Sequence, residues 1–248
     1  MVWKRQKSVM LQIQSKNHMI KPSNFHNNRR WHNWIVYDIN DKFLQKYSKY
    51  LKGHLVDLGC GDAPYKKYFL QFVDKYTGVD WSNTLHNSKI DIYSDLNVEL
   101  DLEDEVADSI ISISVLEHLF EPQVFLNESF RILKKDGRML LQVPWQWRLH
   151  EIPYDYFRYT PYALKHMFAK AGFNEVKIEA TSGFFTTWLL KINYFTHRWV
   201  IGPKIIKWSI AAFLIPFWTF GQLLAPYLDR LDSDWKVESQ GYFVVAKK

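Results

Sequence analysis

The succession of apolar segments in this 248-residue chain points to an α/β fold in which helices cover both faces of a mostly parallel sheet. Three observations carry that expectation. Short strand-like runs alternate with helical segments between residues 54 and 180. The central runs, such as "HLVDLGC" and "GRMLLQVP", are largely apolar, as strands buried on both faces must be. The first of them ends in Gly59-Cys60-Gly61, and glycines there let the backbone turn tightly at the strand end where such sheets take ligands.

The elements follow in order. Apolar or aromatic residues recur at Trp31, Ile35, Ile39, Phe43, Tyr47 and Leu51, one stripe of a long N-terminal helix. After Gly53 the period changes to the strand "HLVDLGC", a helix through "PYKKYFLQFV" and a second strand "KYTGVD". Further strands are expected at "IDIYSD", "ADSIISISV", "GRMLLQVP", "EVKIEAT" and "GYFVVAKK". Helices are signalled by "EPQVFLNESFRIL" and "TPYALKHMFAKAGF", each with proline at its first helical position, where the missing N–H would lack an intrahelical partner anyway. Leu126, Phe130 and Leu133 share one face of the former, and Leu164, Phe168 and Ala171 one face of the latter.

At 47% hydrophobic, the chain can bury one substantial core, so a single α/β domain with additions is expected. The lone Cys60 excludes an internal disulfide, and no Cys, His, Asp or Glu group has metal-ligand spacing, so no metal is expected. "VMLQI" is too short for a signal peptide, which places the catalytic part in the cytoplasm. The net charge of +6 is concentrated: residues 1–37 hold Lys4, Arg5, Lys7, Lys16, Lys21, Arg29 and Arg30 and no acid. A second acid-free stretch, residues 180–228, carries Lys191, Arg198, Lys204 and Lys207. Two unopposed basic regions suit an anionic partner, either a lipid surface or a nucleic acid.

The chemistry concentrates at strand ends. Asp57 lies inside the first strand, two residues before the glycine turn. A carboxylate there would repel a pyrophosphate but suits a ligand carrying an amino group and a sulfonium. Pro64 stands where a nicotinamide fingerprint would need its third glycine. Asp80 ends the second strand nineteen residues after Gly61, where an acid can accept both hydroxyls of a ribose. Asp95 ends the third strand, placed for an adenine amino group, with Leu96 packing on the ring.

"VDLGCGDAPY", "GVD", "SDL", "SVLEHLFEP" and "RILKKDGRMLLQVP", in this order, resemble the class I S-adenosylmethionine-dependent methyltransferases, over roughly residues 54 to 180 and the last strand. The resemblance implies a Rossmann-like seven-stranded sheet with an antiparallel last strand and S-adenosyl-L-methionine as cofactor. It places Gly59 and Gly61 beside the methionine moiety, Asp80 on the ribose and Asp95 near the adenine. The expected cofactor set is Asp57, Gly59, Cys60, Gly61, Asp80, Trp81, Asp95, Leu96, Val115 and Glu117. The expected organisation is a basic, disordered arm at 1–30, a core with its N-terminal helix at 31–183, a helical insertion at 184–230 and the completing strand at 231–248.

Methyl transfer from a sulfonium is an in-line displacement that needs an aligned acceptor and, for a hydroxyl, one base. His150 and His118 are the candidates. His118 follows the fourth strand in "LEHL", where a pocket-shaping role is equally open. His150 lies in "PWQWRLHEIPYDYFRYT" after the fifth strand, a loop dense in polar and aromatic groups. That loop resembles one found in members of the family that modify glycans or lipid-linked intermediates. Tyr154, Asp155, Tyr156 and Arg158 are its expected substrate-binding residues; Asp155 and Arg158 could instead form a salt bridge that fixes the loop.

"WSIAAFLIPFWTFGQLLAPYL", residues 208–228, holds no Asp, Glu, Lys or Arg. One membrane crossing would put the last strand on the wrong side of the sheet it completes. Two crossings would bury Lys191, His197 and Arg198 in lipid, at about 2.5 to 3.5 kcal/mol for a central charge. Pro216 and Pro226 are expected to interrupt the second arm. Helices lying at an anionic membrane interface remain, or an aromatic cap over the active site, or a dimer contact. The acceptor expected on these grounds is a small molecule or lipid-linked, glycan or otherwise amphipathic, with O-methylation leading and peripheral or monotopic membrane attachment. An RNA methyltransferase using the basic arm and a non-catalytic cofactor-binding module are the rivals; the apolar insertion makes nucleic acid the weaker partner.

Overall fold

The structure, a computed structural model, describes residues 20–81 and 90–248. Lys4, Arg5, Lys7 and Lys16 of the basic arm therefore lie outside the described residues. All seven expected strands are present: β1 His54–Leu58, β2 Lys75–Asp80, β3 Ile92–Tyr93, β4 Ala107–Ile113, β5 Leu133–Pro144, β6 Glu175–Ala180 and β7 Gly241–Lys247. They form one sheet in the order β3-β2-β1-β4-β5-β7-β6. The pairs from β3 to β5 are parallel, and β7 runs antiparallel to both β5 and β6.

The inner strands β1, β4 and β7 are buried along most of their length because each face meets its own core. From β1, Val56 and Leu58 enter one cluster with Ile110, Met139 and Val244, covered by Phe125, Leu126, Leu164 and Phe168. Those four belong to helices α3 (Pro122–Ile132) and α4 (Pro161–Ala171). The intervening Leu55 enters the other cluster with Ile111, Leu140 and Phe243, beneath Leu44 and Tyr47 of α1 (Trp34–Tyr47) and the aromatic Tyr65, Tyr68 and Phe69. Sequence period two thus becomes two apolar layers.

Three local expectations need correction. The helix after β1 is a single turn, α2 (Lys66–Phe69), because the N–H groups of Asp74 and Lys75 both reach back to the carbonyl of Gly53 and leave few residues for helix. Trp31 precedes α1 and is 64% exposed, so the buried stripe starts at Ile35. Pro216 and Pro226 do not interrupt their helix: α6 runs unbroken from Lys204 to Asp229. Pro216 and Ala212, four residues before it, both sit on the exposed face, so the bond that proline removes lies outside the packed interior.

Residues 20–33 are laid against the core. Pro22–Phe25 form a 3-10 turn, and both the N–H and the hydroxyl of Ser23 donate to the buried Asp41 carboxylate at 2.8 and 2.7 Å. Arg29 donates to Asp38 at 2.6 Å.

The insertion is a helical hairpin of α5 (Phe184–His197) and α6. Asp229 at the end of α6 accepts from the N–H groups of Gly183 and Thr186, capping α5 and closing the hairpin at its base. Its inner face is held by polar contacts: Gln222 accepts from Ile35 N–H and donates to the Trp31 carbonyl, Asn193 donates to the His32 carbonyl, and the Trp218 indole donates to Thr196. The outer face is apolar and bare, with Ile205, Trp208, Phe213 and Phe220 between 67% and 83% exposed. Among the described residues, α6 alone, at 26 residues, is long and apolar enough to cross a membrane, with a length of about 39 Å at 1.5 Å per residue.

Candidate active site

A cavity of about 1000 Å³ opens at the carboxyl ends of β1, β2 and β4. Its first wall is the glycine turn. Gly59 sits at φ +79°, and a Cβ there would come within 2.3 Å of Val115, so only glycine fits between strand and neighbour. Gly61 is also left-handed, at φ +49°. Its N–H donates to Oδ2 of Asp80 at 2.7 Å, while Oδ1 accepts from Trp81 N–H at 2.8 Å. The carboxylate at the end of β2 is thereby fixed against the turn at the end of β1.

Asp57 lies deeper. Burial pushes its carboxyl up to about 7, against the Tyr76 hydroxyl that donates to it at 2.6 Å. Burial likewise raises the neighbouring Cys60 thiol well above its ordinary range, which makes it an inert wall and no nucleophile. Asp95, two residues past β3, reaches the cavity with its Oδ1 oriented by the backbone and side-chain N–H groups of Asn97 at 2.9 and 2.8 Å. Leu96, Val115 and Trp81 complete this end, and the Trp81 ring stands edge-on to Tyr154 at 5.1 Å.

The expected residues do not all reach the cavity. Asp155 and Arg158 do not line it; they bind each other through two parallel contacts of 2.6 and 2.7 Å. Although burial opposes ionisation, that fork and the His150 N–H hold Asp155 down to about 2. The pair braces the loop, while Tyr154 and Tyr156 of the same segment line the cavity. Glu117 is fully buried and does not line the cavity. Its Oε1 stands 3.6 Å from Nε2 of both His118 and His150.

Those two histidines do line the cavity, rings 4.7 Å apart. Nδ1 of His118 donates to the Tyr154 carbonyl at 2.8 Å, and Nδ1 of His150 faces Asp155 at 3.1 Å. Burial works against protonating His150, but Glu117 and Asp155 outweigh it and raise its pKa.

The far end of the cavity was not foreseen. Arg30, Arg148 and Arg198 line it with His32, His197 and Tyr194, drawn from the segment before α1, the loop after β5 and the end of α5. No carboxylate pairs with these three arginines among the described residues. His32 and His197 stack at 3.9 Å, and burial together with His197, Arg148 and Arg30 drives His32 down to about 4. A surplus of positive charge that suppresses its own histidines favours an anionic occupant. Arg30 and Arg198, each in an acid-free stretch, carried a sequence signal; Arg148 did not.

Carboxylates on a glycine turn suit a cationic nucleoside at the near end; arginines suit an anion at the far end, and a histidine–carboxylate cluster lies along the wall. Residues 24–178 match a family model described as a methyltransferase domain. A probable S-adenosylmethionine-dependent methyltransferase of Mycolicibacterium smegmatis is 25% identical over 96 residues, a match spanning 36% of this chain and 37% of that one. A SAM-dependent methyltransferase from Archaeoglobus fulgidus superposes with a TM-score of 0.52 at 18% identity, over 85% of this chain and 94% of that one. Phosphoethanolamine N-methyltransferase 2 of Haemonchus contortus, in complex with S-adenosyl-L-methionine, gives 0.54 at 16%, over 88% and 56%. At these identities the two structures speak to fold alone.

Proposed function

The chain belongs to the methyltransferase-domain family, and on that premise we propose that it methylates an amphipathic, anion-bearing acceptor, lipid-linked or glycan in kind, at a membrane surface. The observation that carries this reading is a single cavity lined both by Asp57 and Asp80 and by Arg30, Arg148 and Arg198. S-adenosylmethionine supplies the methyl group as a sulfonium, a cation that the donor set of Asp57, Asp80 and Asp95 fits. The residues of the chain do the positioning. Asp80 and Asp95 hold the ribose and adenine, Asp57 balances positive charge, and the arginines fix the acceptor's anionic group so that its hydroxyl meets the methyl carbon in line. The proton of that hydroxyl is handled by Glu117, His118 and His150. Apolar tails of the acceptor are met by the bare face of α5 and α6, which rests in the interface of an anionic membrane on the cytoplasmic side.

The exposed row of Phe213, Phe217 and Phe220 favours this acceptor over RNA, whose surface is polar. Incubation with methyl-labelled S-adenosylmethionine and, in parallel, membrane lipid extract, total RNA and soluble metabolites tests the reading. Label is expected in the lipid extract; label in RNA alone would overturn the acceptor class, and cofactor binding without label anywhere would favour a non-catalytic module.

A further inference from the structure

Both carboxylate oxygens of Glu117 are buried without a hydrogen-bond partner, and so is Nε2 of His118. A fully buried carboxylate with neither oxygen satisfied is costly, by several kcal/mol in general, unless a counter-charge reaches it. Glu117 Oε1 faces Nε2 of His118 and Nε2 of His150, each at 3.6 Å, and all three ligand atoms lie within 4.8 Å of one another.

The tautomers sharpen the problem. The Tyr154 carbonyl can only accept, so Nδ1 of His118 carries a proton; Asp155, held ionised by Arg158, likewise takes the Nδ1 proton of His150. Neutral rings so arranged turn two Nε2 lone pairs onto an unsatisfied carboxylate. This is the outer-shell pattern of metal-binding histidines, whose second nitrogen is tied to a backbone carbonyl or a carboxylate. Metal–ligand bonds of about 2.0–2.2 Å set neighbouring ligand atoms about 3.0–3.5 Å apart, so the two 3.6 Å separations close with small side-chain rotations. Glu151, whose Oε2 is 3.9 Å from Nε2 of His118, lies on the cavity side.

We propose that Glu117, His118 and His150 hold a divalent first-row transition-metal ion whose open coordination positions face the cavity. Two imidazoles and one carboxylate select ions of the manganese-to-zinc series over the oxygen-preferring magnesium and calcium. Ion binding itself does not depend on the acceptor. What the ion would do rests on the methyltransferase reading: held by both Nε2 atoms and Glu117, it would coordinate the acceptor oxygen and acidify its hydroxyl, whose proton would pass to solvent water in the open cavity as the oxygen takes the methyl group.

The full-length protein, stripped with chelator, is titrated with Co²⁺ and separately with Mg²⁺, following heat and the visible absorption of bound cobalt. S-adenosylhomocysteine binding and circular dichroism serve as fold controls. One equivalent of Co²⁺ is expected, with Mg²⁺ much weaker. Glu117→Gln, which preserves shape, and His118→Gln should each weaken Co²⁺ binding by at least tenfold, and Asp155→Asn by about 10- to 100-fold through the lost outer-shell bond. Absence of Co²⁺ binding in folded wild-type protein would overturn the proposal, as would equal Co²⁺ binding in wild type and Glu117→Gln. Because no acceptor or methyl transfer enters this measurement, its failure is separable from failure of the proposed function.

Discussion

The N–H of Gly61 donates to Oδ2 of Asp80 across 2.7 Å, joining the end of the first strand to the end of the second. A single carboxylate thus fixes the glycine turn while lining the cavity. Asp80→Ala should weaken S-adenosylmethionine binding by roughly 10- to 100-fold, as loss of charge-assisted hydrogen bonds of about 1.5–3 kcal/mol implies. Calorimetric titration of both proteins checks this, with unchanged circular dichroism as the control.

Asp57 should make S-adenosylmethionine affinity depend on pH. Its carboxyl, pushed up to about 7 by burial, is largely protonated below that value, and a cationic ligand favours the ionised form. Affinity for S-adenosylmethionine should therefore rise from pH 6 to pH 8 and level off above, while Asp57→Asn should bind more weakly with a flattened profile. The same shift sets the sign for stability. The native state holds this proton more tightly than the unfolded chain does, so the contribution is present below the usual carboxylate range and lost as pH rises through about 7. Denaturant midpoints of wild type and Asp57→Asn should diverge over that window.

The far-end arginines should affect acceptor and not cofactor. Arg148→Gln together with Arg198→Gln is expected to raise KM for the labelled lipid-extract acceptor at least tenfold and leave S-adenosylhomocysteine affinity within about twofold, two charge-assisted contacts being lost. Parallel steady-state and binding measurements separate the two effects.

Membrane attachment should follow the outer face of the hairpin. Deleting the hairpin would strip Gln222 and Asn193 from their contacts with residues 31–35, so surface substitution is the cleaner test. Phe213→Glu with Phe220→Glu, at sites 82% and 67% exposed, should abolish flotation with anionic liposomes and spare S-adenosylhomocysteine binding. Flotation equal to wild type would remove the hairpin from the membrane reading. Added salt should weaken any residual electrostatic attraction.

The sheet and the glycine turn with its carboxylates in the cavity lining were legible because their signals are local. Gly59, Gly61, Asp57 and Asp80 lie at fixed offsets from apolar strands, and a buried parallel strand cannot be mistaken for an amphipathic one. What depends on convergence was not legible. Arg30, Arg148 and Arg198 come from three separate segments, and neighbours in sequence do not reveal that they share a cavity end. Glu117 and His118 adjoin in sequence while His150 lies beyond β5, so no ligand spacing announced their cluster. Asp155 and Arg158 were visible as an ionic pair three residues apart, but only their burial decides between binding substrate and bracing His150. Proline overstated the break at Pro216, because its cost falls on an exposed face.

Calorimetric titration of the folded, full-length protein with S-adenosylhomocysteine and with S-adenosylmethionine tests the account at its root. One site for each, mutually competitive and weakened by Asp80→Ala, is the predicted result. No heat of binding from either ligand, on protein whose circular dichroism and cooperative unfolding show it to be native, would contradict the account.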